Sequence, residues 1–457
     1  MKNKKKLTLF ALTWPLFVEI FLHMLMGNMD TLMLSQYSDH AVAAVGVATQ
    51  LFSIIIIMFG FVAAGTSILV AQYLGAGKEK EASELSVVSL AANLLFGLLL
   101  SIIISIFSQP LLGLMGLPRE LIADAEIYLK IVGSFAFIQA LIMTAGAILR
   151  SRGYTRDAML VTIGMNIVHL IGNYIFIFGP LGLPVLGVEG TAISTVFSRL
   201  LGFAAIFTLL IKRVPEKLPF IRLFTLDKIY LKNLLKIGVP AAGEHLSYEL
   251  SQIAITFFIA LLGTAAISTK VYTQNLMMFI YLFAVAIAQG TQILIGRMAG
   301  GGEYEKAYHR CLKSLKAAML ISFLCAVMFA FFSKNLLGIF TSDKEILATG
   351  AVLIWLTVIL EPGRTFNLVI IGALRAAGDV RFPVVIGILS QWGISVSLAY
   401  LLGIKLELGL IGVWIALAAD EWLRGLIMLW RWKSRVWERK GFFKTEAGAD
   451  DAPISAG

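Results

Sequence analysis

The feature that most constrains this chain is a series of long apolar runs. The hydrocarbon core of a bilayer is about 30 Å thick, and about 20 apolar residues in an α-helix cross it. Because lipid offers no partner to backbone N–H and C=O groups, each such run must be helical. The sequence therefore predicts an all-α polytopic membrane protein with twelve transmembrane helices, near residues 10–36, 44–74, 86–108, 124–149, 158–179, 187–211, 237–262, 267–296, 312–333, 347–374, 382–403 and 408–430.

Composition supports the membrane assignment. Hydrophobic residues make up 58% of the chain, charged residues 14%, and the mean hydropathy is +0.85. A soluble domain is about 45–50% apolar and about 25% charged. The two cysteines, Cys311 and Cys325, lie in one predicted helical region, which argues against a disulfide framework or a cysteine zinc site. We expect no cofactor.

The net charge of +10 reflects topology. If the N-terminus is cytoplasmic, more than three quarters of the 38 Lys and Arg residues fall in cytoplasmic segments, and the opposite loops hold five (Arg119, Lys130, Lys334, Lys344 and Lys405). By the positive-inside rule, both termini lie in the cytoplasm and the protein crosses the inner, cytoplasmic membrane of the cell. We expect the bilayer, and no nucleic acid, as the macromolecular environment.

The sequence also repeats itself at long range. Residues 65–82 read GTSILVAQYLGAGKEKEA and residues 290–307 read GTQILIGRMAGGGEYEKA, with 7 of 18 positions identical. Chance would give about one identity at ordinary residue frequencies. The same offset of 225 relates other residues: Pro15 to Pro240, Glu19 to Glu244, Leu149-Arg150 to Leu374-Arg375, and Gly153 to Gly378. The chain is therefore predicted to be a duplicated half.

Each half holds six spans, so both halves face the same way and their symmetry axis runs along the membrane normal. The predicted organisation is an N-terminal lobe at 1–211, a basic cytoplasmic linker at 212–236, a C-terminal lobe at 237–435, and a cytoplasmic tail at 436–457 that is disordered at its end. This gives two pseudo-symmetric six-helix lobes around a central cleft. We expect a monomer.

The glycine clusters of the repeat predict helix ends at the membrane edge. Glycine tolerates the positive φ that stops a helix. The alternative, a phosphate-binding loop, needs G-x-x-x-x-G-K-[ST], and GAGKE does not have that spacing. An ATP-driven mechanism is therefore not indicated.

These stretches, together with LRSRGYTRDA, LRAAGDVRFP, Pro15 and Asp30, resemble the multidrug and toxic compound extrusion (MATE) family over roughly residues 8–435. The resemblance implies a twelve-helix exporter with two lobes around a cleft. It also implies a multidrug antiporter that expels amphipathic, often cationic drugs or dyes in exchange for protons or sodium ions, by alternating access. Such a protein is a transporter and not an enzyme.

Ionisable residues inside spans predict functional sites, because each costs about 2.5–3.5 kcal/mol to insert. In the first span, Glu19, His23 and Asp30 fall on one narrow stripe of the helix, since their spacing is close to whole numbers of helical turns. Such a stripe suits cation or proton binding, and the family places an essential acid at the position of Asp30. A hydrogen-bonded structural cluster is the alternative.

In the fifth span, His169 and Asn173 stand one turn apart. One branch of the family has an Asn and an Asp here, which complete a cation site with the first-span Asp. Without that second carboxylate, a sodium ion near Asp30 is weakly favoured, since hard cations prefer anionic oxygens. Histidine suits proton handling. We predict a coupling site of Asp30, Glu19, His169 and Asn173; a plain helix–helix hydrogen bond is the alternative.

A second set of residues predicts a substrate cavity. Another branch of the family has acids in the seventh and tenth spans, at the positions of Tyr248 and Arg364 here. Nearby groups in this chain are Glu244, His245 and Glu249 in span seven and Glu361 in span ten. The alternative is that these residues form internal ion pairs. Outside this set, we expect Lys270, Arg199 and the Asp420-Glu421-Arg424 group to lie at the interface or to pair with one another.

Three other functions are alternatives to drug export. A lipid-linked oligosaccharide flippase has a distantly related architecture but needs a cationic cavity for phosphates. A channel is a further alternative, but two duplicated lobes around one cleft favour alternating access. An intramembrane enzyme needs motifs such as H-E-x-x-H or G-x-S-x-G, which the sequence does not contain.

Overall fold

The computed structural model describes residues 7–115, 117–215, 218–219, 222 and 227–442. Within these ranges every regular element is helical. The α-helices are α1 (Leu9–Ser35), α2 (Asp39–Gly75), α3 (Glu79–Leu114), α4 (Arg119–Ser134), α5 (Ala136–Ser151), α6 (Thr155–Phe178), α7 (Gly187–Arg213), α8 (Lys228–Leu261), α9 (Thr264–Gly300), α10 (Tyr304–Phe331), α11 (Ser333–Leu337), α12 (Lys344–Ala376), α13 (Arg381–Ser390), α14 (Ser397–Tyr400) and α15 (Gly409–Lys433).

The helices account for the predicted spans. Of the described helices, nine are long and apolar enough to cross a membrane, and α4 with α5 makes a tenth span bent by 47°. The bend lies at Phe135, whose backbone is not helical. The long helices α8 and α15 carry charged residues in their middle turns. With these two, the described helices cover all twelve predicted runs.

The helix after α12 is irregular. Two π-helical segments, Gln391–Val396 and Leu401–Lys405, interrupt the span that begins with α13. A π-helical turn inserts an extra residue and often occurs at functional sites.

The chain forms two compact units. The first comprises Met1–Val70 with Glu79–Val239, and the second comprises Ala71–Lys78 with Pro240–Gly457. In the first unit α6 packs against α1 and α7, and α7 also packs against α4 and α5. Its apolar core includes Phe59, Leu129 and Ile148.

In the second unit α12 is the central helix. It packs against α9, α10 and α15, around an apolar core that includes Leu353 and Trp414. The beginning of the predicted tail is ordered here: a 3-10 turn, Val436–Arg439, follows α15, and the ring of Trp437 stacks on Trp432 with centroids 4.1 Å apart. The predicted disordered end of the tail lies outside the described residues.

The repeated glycine clusters end helices as predicted. Helix α2 ends at Gly75 and α9 at Gly300, and Gly77 and Gly302 both have φ near +72°. The charged run KEKEA that follows Gly77 contributes its residues from Glu79 onward to the first turn of the long helix α3.

The same glycines let the two repeated segments touch through their backbones. A Cβ atom at Gly75 would overlap the carbonyl oxygen of Arg297, and one at Gly300 would overlap that of Gln72. The Gln72 side chain also donates a 2.5 Å hydrogen bond to the carbonyl oxygen of Ala376. Residues 71–78 of the first half are therefore part of the second unit, which the sequence repeat alone does not predict.

This contact makes a stability prediction. Gly300→Ala should lower the thermal unfolding temperature of the purified protein, because the new methyl group meets a backbone carbonyl that cannot rotate away. Overpacking of this kind costs about 1–3 kcal/mol or more. The matched control is Gly46→Ala on α2, where a Cβ atom meets nothing within 4 Å. Equal unfolding temperatures for the two variants would contradict the close backbone contact.

Candidate functional site

Three of the predicted coupling residues meet inside the first unit. The side-chain amide of Asn173 donates a 2.7 Å hydrogen bond to Oδ1 of Asp30, and Nε2 of His169 lies 3.6 Å from the same oxygen. Asn173 and His169 are buried, and the side chain of Asp30 is 20% exposed. The Asp30 carboxylate on α1 thus lies beside two side chains of α6: the uncharged amide of Asn173, and the imidazole of His169, which can be neutral.

Local helix geometry explains this meeting. His169 and Asn173 are one turn apart on α6 and therefore share a face, and α6 packs along α1. Helix α7 fixes the histidine from the other side. The hydroxyl of Thr195 lies 3.2 Å from Nε2 of His169, and that of Ser194 donates a 2.9 Å hydrogen bond to the His169 carbonyl.

Glu19 is placed elsewhere. Its Oε1 accepts a 2.8 Å hydrogen bond from Nη1 of Arg150, at the end of α5. The structure thus gives Glu19 a fixed cationic partner, whereas the one-face argument groups it with Asp30. Glu19 and Asp30 lie on one face of α1, but different neighbouring helices contact them: α5 contacts Glu19, and α6 contacts Asp30.

An equivalent ion pair occurs in the second unit. Glu244 on α8 pairs with Arg375 near the end of α12. The repeat aligns these two residues with Glu19 and Arg150. Each half therefore ties its first helix to its LR motif with the same salt bridge. The sequence indicates this pairing, because the Glu and the Arg both recur after 225 residues.

His245 and Glu249 form the i, i+4 pair that their spacing predicts. Nε2 of His245 lies 3.6 Å from Oε1 of Glu249, and the Glu249 side chain is 52% exposed. This carboxylate is the most accessible of the acids predicted for the cavity.

Glu361 and Arg364 belong to a larger buried network. Their side chains form a 2.6 Å ion pair on α12, and Glu361 is completely buried. The Arg364 guanidinium also approaches Glu421 on α15, at 3.8 Å. Arg424 then pairs with Glu421 at 2.8 Å and with Asp420 at 3.2 Å.

Three carboxylates and two guanidiniums make up this network. The expectation that Asp420, Glu421 and Arg424 pair with one another is confirmed, and the structure joins them to Glu361 and Arg364. Beside the network lies a cavity of about 30 Å³, lined by groups that include Tyr248, Gln391, Arg364 and Asp420. Such a volume holds a water molecule or two. Gln391 opens the first π-helical turn.

Lys270 and Arg199 each contact a residue on a neighbouring helix. Lys270 donates a hydrogen bond to the hydroxyl of Thr256 on α8. Arg199 on α7 is half-buried, and its guanidinium lies over the ring of Phe52 on α2, 4.7 Å from the centroid. The sequence alone does not predict this contact, because a lone Arg on an apolar helix does not reveal which way it faces.

The described residues contain no cluster of three or more His, Cys, Asp or Glu side chains that could hold a metal ion. Within that part of the chain, Asp30 accepts a hydrogen bond from the neutral amide of Asn173, and the imidazole of His169 lies 3.6 Å away.

Long apolar helices with paired charges inside two helical units define a multi-pass membrane protein. The MatE family model matches residues 15–175 and 240–401, and the starts of these two ranges are separated by the offset of the internal repeat. The chain belongs to the MatE family, a family of transporters.

The relatives agree with this assignment. The chain is 53% identical to the uncharacterized transporter YisQ of Bacillus subtilis (strain 168), with 96% of each chain covered. It is 27% identical to the probable multidrug resistance protein NorM of Thermotoga maritima, over 96% of this chain and 94% of that one. A crystal structure of MATE in the bent conformation shares the fold with a TM-score of 0.86, at 22% identity, over 93% of this chain and 94% of that chain.

The repeated salt bridges make a second stability prediction. Arg150→Gln should lower the unfolding temperature, because it leaves the Glu19 carboxylate without its cation, and breaking a buried pair costs up to about 3–5 kcal/mol. The double variant Arg150→Gln with Glu19→Gln should recover part of the loss.

The control is Lys130→Gln. Lys130 pairs with Glu126 at 2.6 Å, but its side chain is 51% exposed, and exposed pairs contribute about 0–1 kcal/mol. If Arg150→Gln changes stability no more than this control, the Glu19–Arg150 pair is not a structural tie.

Proposed function

We propose that the protein is a secondary active exporter that moves cationic amphipathic compounds out of the cell in exchange for protons, by alternating access. Its family supports transport of small molecules. The excess of Lys and Arg in one set of loops supports cytoplasmic termini and a position in the cell membrane.

The observation that carries the proton proposal is the Asp30 site. A carboxylate in a membrane helix is costly when ionised, and Asp30 can be neutralised by a proton when the site is closed to water. Its 20% exposed side chain gives water a route to the carboxylate. His169, 3.6 Å away, can exchange a proton with it through small movements.

A proton suits this site better than a sodium ion. Hard cations bind several oxygen ligands and favour carboxylates. Here Asn173 directs its NH₂ group at Asp30, and the other close group is an imidazole nitrogen. Sodium coupling is the alternative, and the experiments below distinguish it from proton coupling.

The balance of charge favours cationic cargo. In the second unit the Glu361 network has one more carboxylate than guanidinium groups, and Glu249 is half exposed. A flippase for phosphate-linked sugars needs available basic groups, yet Arg364, Arg375 and Arg424 all lie on carboxylates. Apolar parts of a drug would be held by contact area with aromatic and methionine side chains.

Asp30→Asn should abolish export and leave folding intact, because asparagine keeps the size of the side chain but cannot gain or lose a proton. Transport is measured in proteoliposomes with proton and sodium gradients imposed separately. Asp39→Asn, at the exposed start of α2, is the matched control and should transport normally. Full activity of Asp30→Asn, or transport driven by sodium alone and unchanged from about pH 6 to pH 8, would refute the proton proposal.

Glu249→Gln should raise the KM for cationic dyes several-fold and leave neutral dyes unaffected, because it removes an accessible negative charge. The control is Glu120→Gln, at the exposed start of α4. Dye efflux from loaded vesicles gives the readout. An equal effect on neutral and cationic dyes, or a preference for anionic lipid-linked sugars, would contradict the cargo proposal.

A further inference from the structure

The first turns of helix α10 carry a row of basic side chains. Arg310, Lys313 and Lys316 are spaced three residues apart, so they follow one another along the helix surface. Lys313 and Lys316 are exposed, and Arg310 is half-buried. Among the described residues, no carboxylate forms an ion pair with any of these three side chains, which we call the basic row. Their charges therefore have no counter-charge in that part of the protein.

The acids at the start of α10 are engaged by other groups. Glu303 pairs with Lys306 at 2.9 Å, and Glu305 accepts hydrogen bonds from Arg435 at the end of α15. Nε2 of His309 also lies 3.7 Å from Glu305. The acidic residues beside the basic row thus do not neutralise it.

The exposed face of α10 changes from charged to apolar along the helix. Leu320 and Leu324 follow Lys313 by 7 and 11 residues, so all three side chains lie on one face. The two leucines are 59% and 56% exposed. The opposite face, which includes Cys311 and Leu315, is buried where α10 packs against α9 and α12. A phospholipid has the same order of parts, a charged headgroup followed by acyl chains.

The dimensions of the basic row fit the edge of a bilayer. Arg310 and Lys316 are six residues apart, which is about 9 Å along a helix. The interfacial region of one leaflet is about 5–8 Å thick, and long Lys and Arg side chains extend toward it from deeper positions. All three cations can therefore reach phosphate groups of one leaflet, while Leu320 and Leu324 meet its acyl chains.

The internal repeat shows that this face is specific to the second half. The counterparts of the basic row on α3 are Leu85, Val88 and Ala91, all of them buried. The preceding residue, Glu84, accepts a 3.2 Å hydrogen bond from the hydroxyl of Tyr230, which lies in α8. The first half thus packs this part of its helix inside the protein, and the second half presents cations there.

We propose that this face of α10 binds an anionic phospholipid, with its phosphate on the basic row and its acyl chains along Leu320 and Leu324. Complementary charge identifies the headgroup, because basic residues at a bilayer surface attract anionic lipids. The ammonium group of a zwitterionic lipid would instead be repelled by three cations. This binding site is separate from the proposed exchange at Asp30 and does not depend on the coupling ion.

The acidic residues near the end of the chain are the alternative occupant. Glu446, Asp450 and Asp451 could neutralise cations on the same side of the membrane. The sequence around them, TEAGADDAPISAG, offers few large apolar side chains for Leu320 and Leu324. A lipid fits both parts of the face, and the acidic segment fits its charged part alone.

The test measures lipid binding to the purified full-length protein by native mass spectrometry, with phosphatidylglycerol as the anionic lipid and phosphatidylcholine as the zwitterionic one. The wild-type protein should bind phosphatidylglycerol several-fold more tightly, and added salt should weaken this binding. Combining Arg310→Gln, Lys313→Gln and Lys316→Gln should lower the affinity for phosphatidylglycerol at least about tenfold and leave that for phosphatidylcholine unchanged.

The matched control combines Lys212→Gln, Lys228→Gln and Lys232→Gln. These lysines are also exposed and belong to the predicted cytoplasmic linker, so the net charge falls by the same amount. The control should keep the wild-type affinity for phosphatidylglycerol. An equal loss in both triple variants would show a general attraction between charges and would overturn the site on α10.

Three further results would overturn the inference. They are no preference for phosphatidylglycerol in the wild type, an unchanged affinity in the folded triple variant of the basic row, and a preference that appears only in a chain ending at Lys444. The last result would mean that the acidic segment occupies the face. If the triple variant does not fold, the double variant Lys313→Gln with Lys316→Gln replaces it, since both side chains are exposed.

Discussion

The structure depends on one constraint: a charged side chain inside a membrane helix must find a partner. Each unpaired charge costs about 2.5–3.5 kcal/mol to insert, and the chain places many charged groups inside its spans. Glu19 meets Arg150 and Glu244 meets Arg375, so each half fastens its first helix in the same way. The acids and arginines of α12 and α15 satisfy one another. Asp30 instead has the amide of Asn173 and the imidazole of His169 as neighbours, and this is why it is the site proposed for proton exchange.

Duplication explains why the two halves share several motifs, and later substitution explains where they differ. The two halves keep the glycine clusters, the LR motifs and the Glu–Arg tie at equivalent positions of the repeat. They differ where function is proposed: the counterpart of Asp30 is Ile255, which is buried, and the counterpart of Asn173 is Leu398. In return, Thr195 stands where the second half has Asp420. The first half thus places Asp30 beside an amide and an imidazole, and the second half has a network of ion pairs between α12 and α15.

Much of the fold could be predicted from the sequence, because lipid permits few alternatives to a helix of about 20 residues. The meeting of Asp30 with His169 and Asn173 followed from helix periodicity and the family resemblance. The pairing of Glu19 with Arg150 did not follow, because the periodicity of one helix gives no information about the helix packed beside it. The repeat did offer a signal, since Glu19 and Arg150 both recur after 225 residues. The contact of Arg199 with Phe52 and the π-helical turn at Gln391 needed the packed structure, because both depend on the relative rotation of neighbouring helices.

In the proposed exchange, binding of cationic cargo is linked to loss of the proton from Asp30. The most direct measurement is calorimetric titration of a cationic dye into the purified protein in buffers of different ionisation enthalpy, which counts the protons released on binding. The account predicts release of about one proton per dye bound near the midpoint pH, and none in Asp30→Asn, as linkage requires. Dye binding without proton release in the wild-type protein would contradict it.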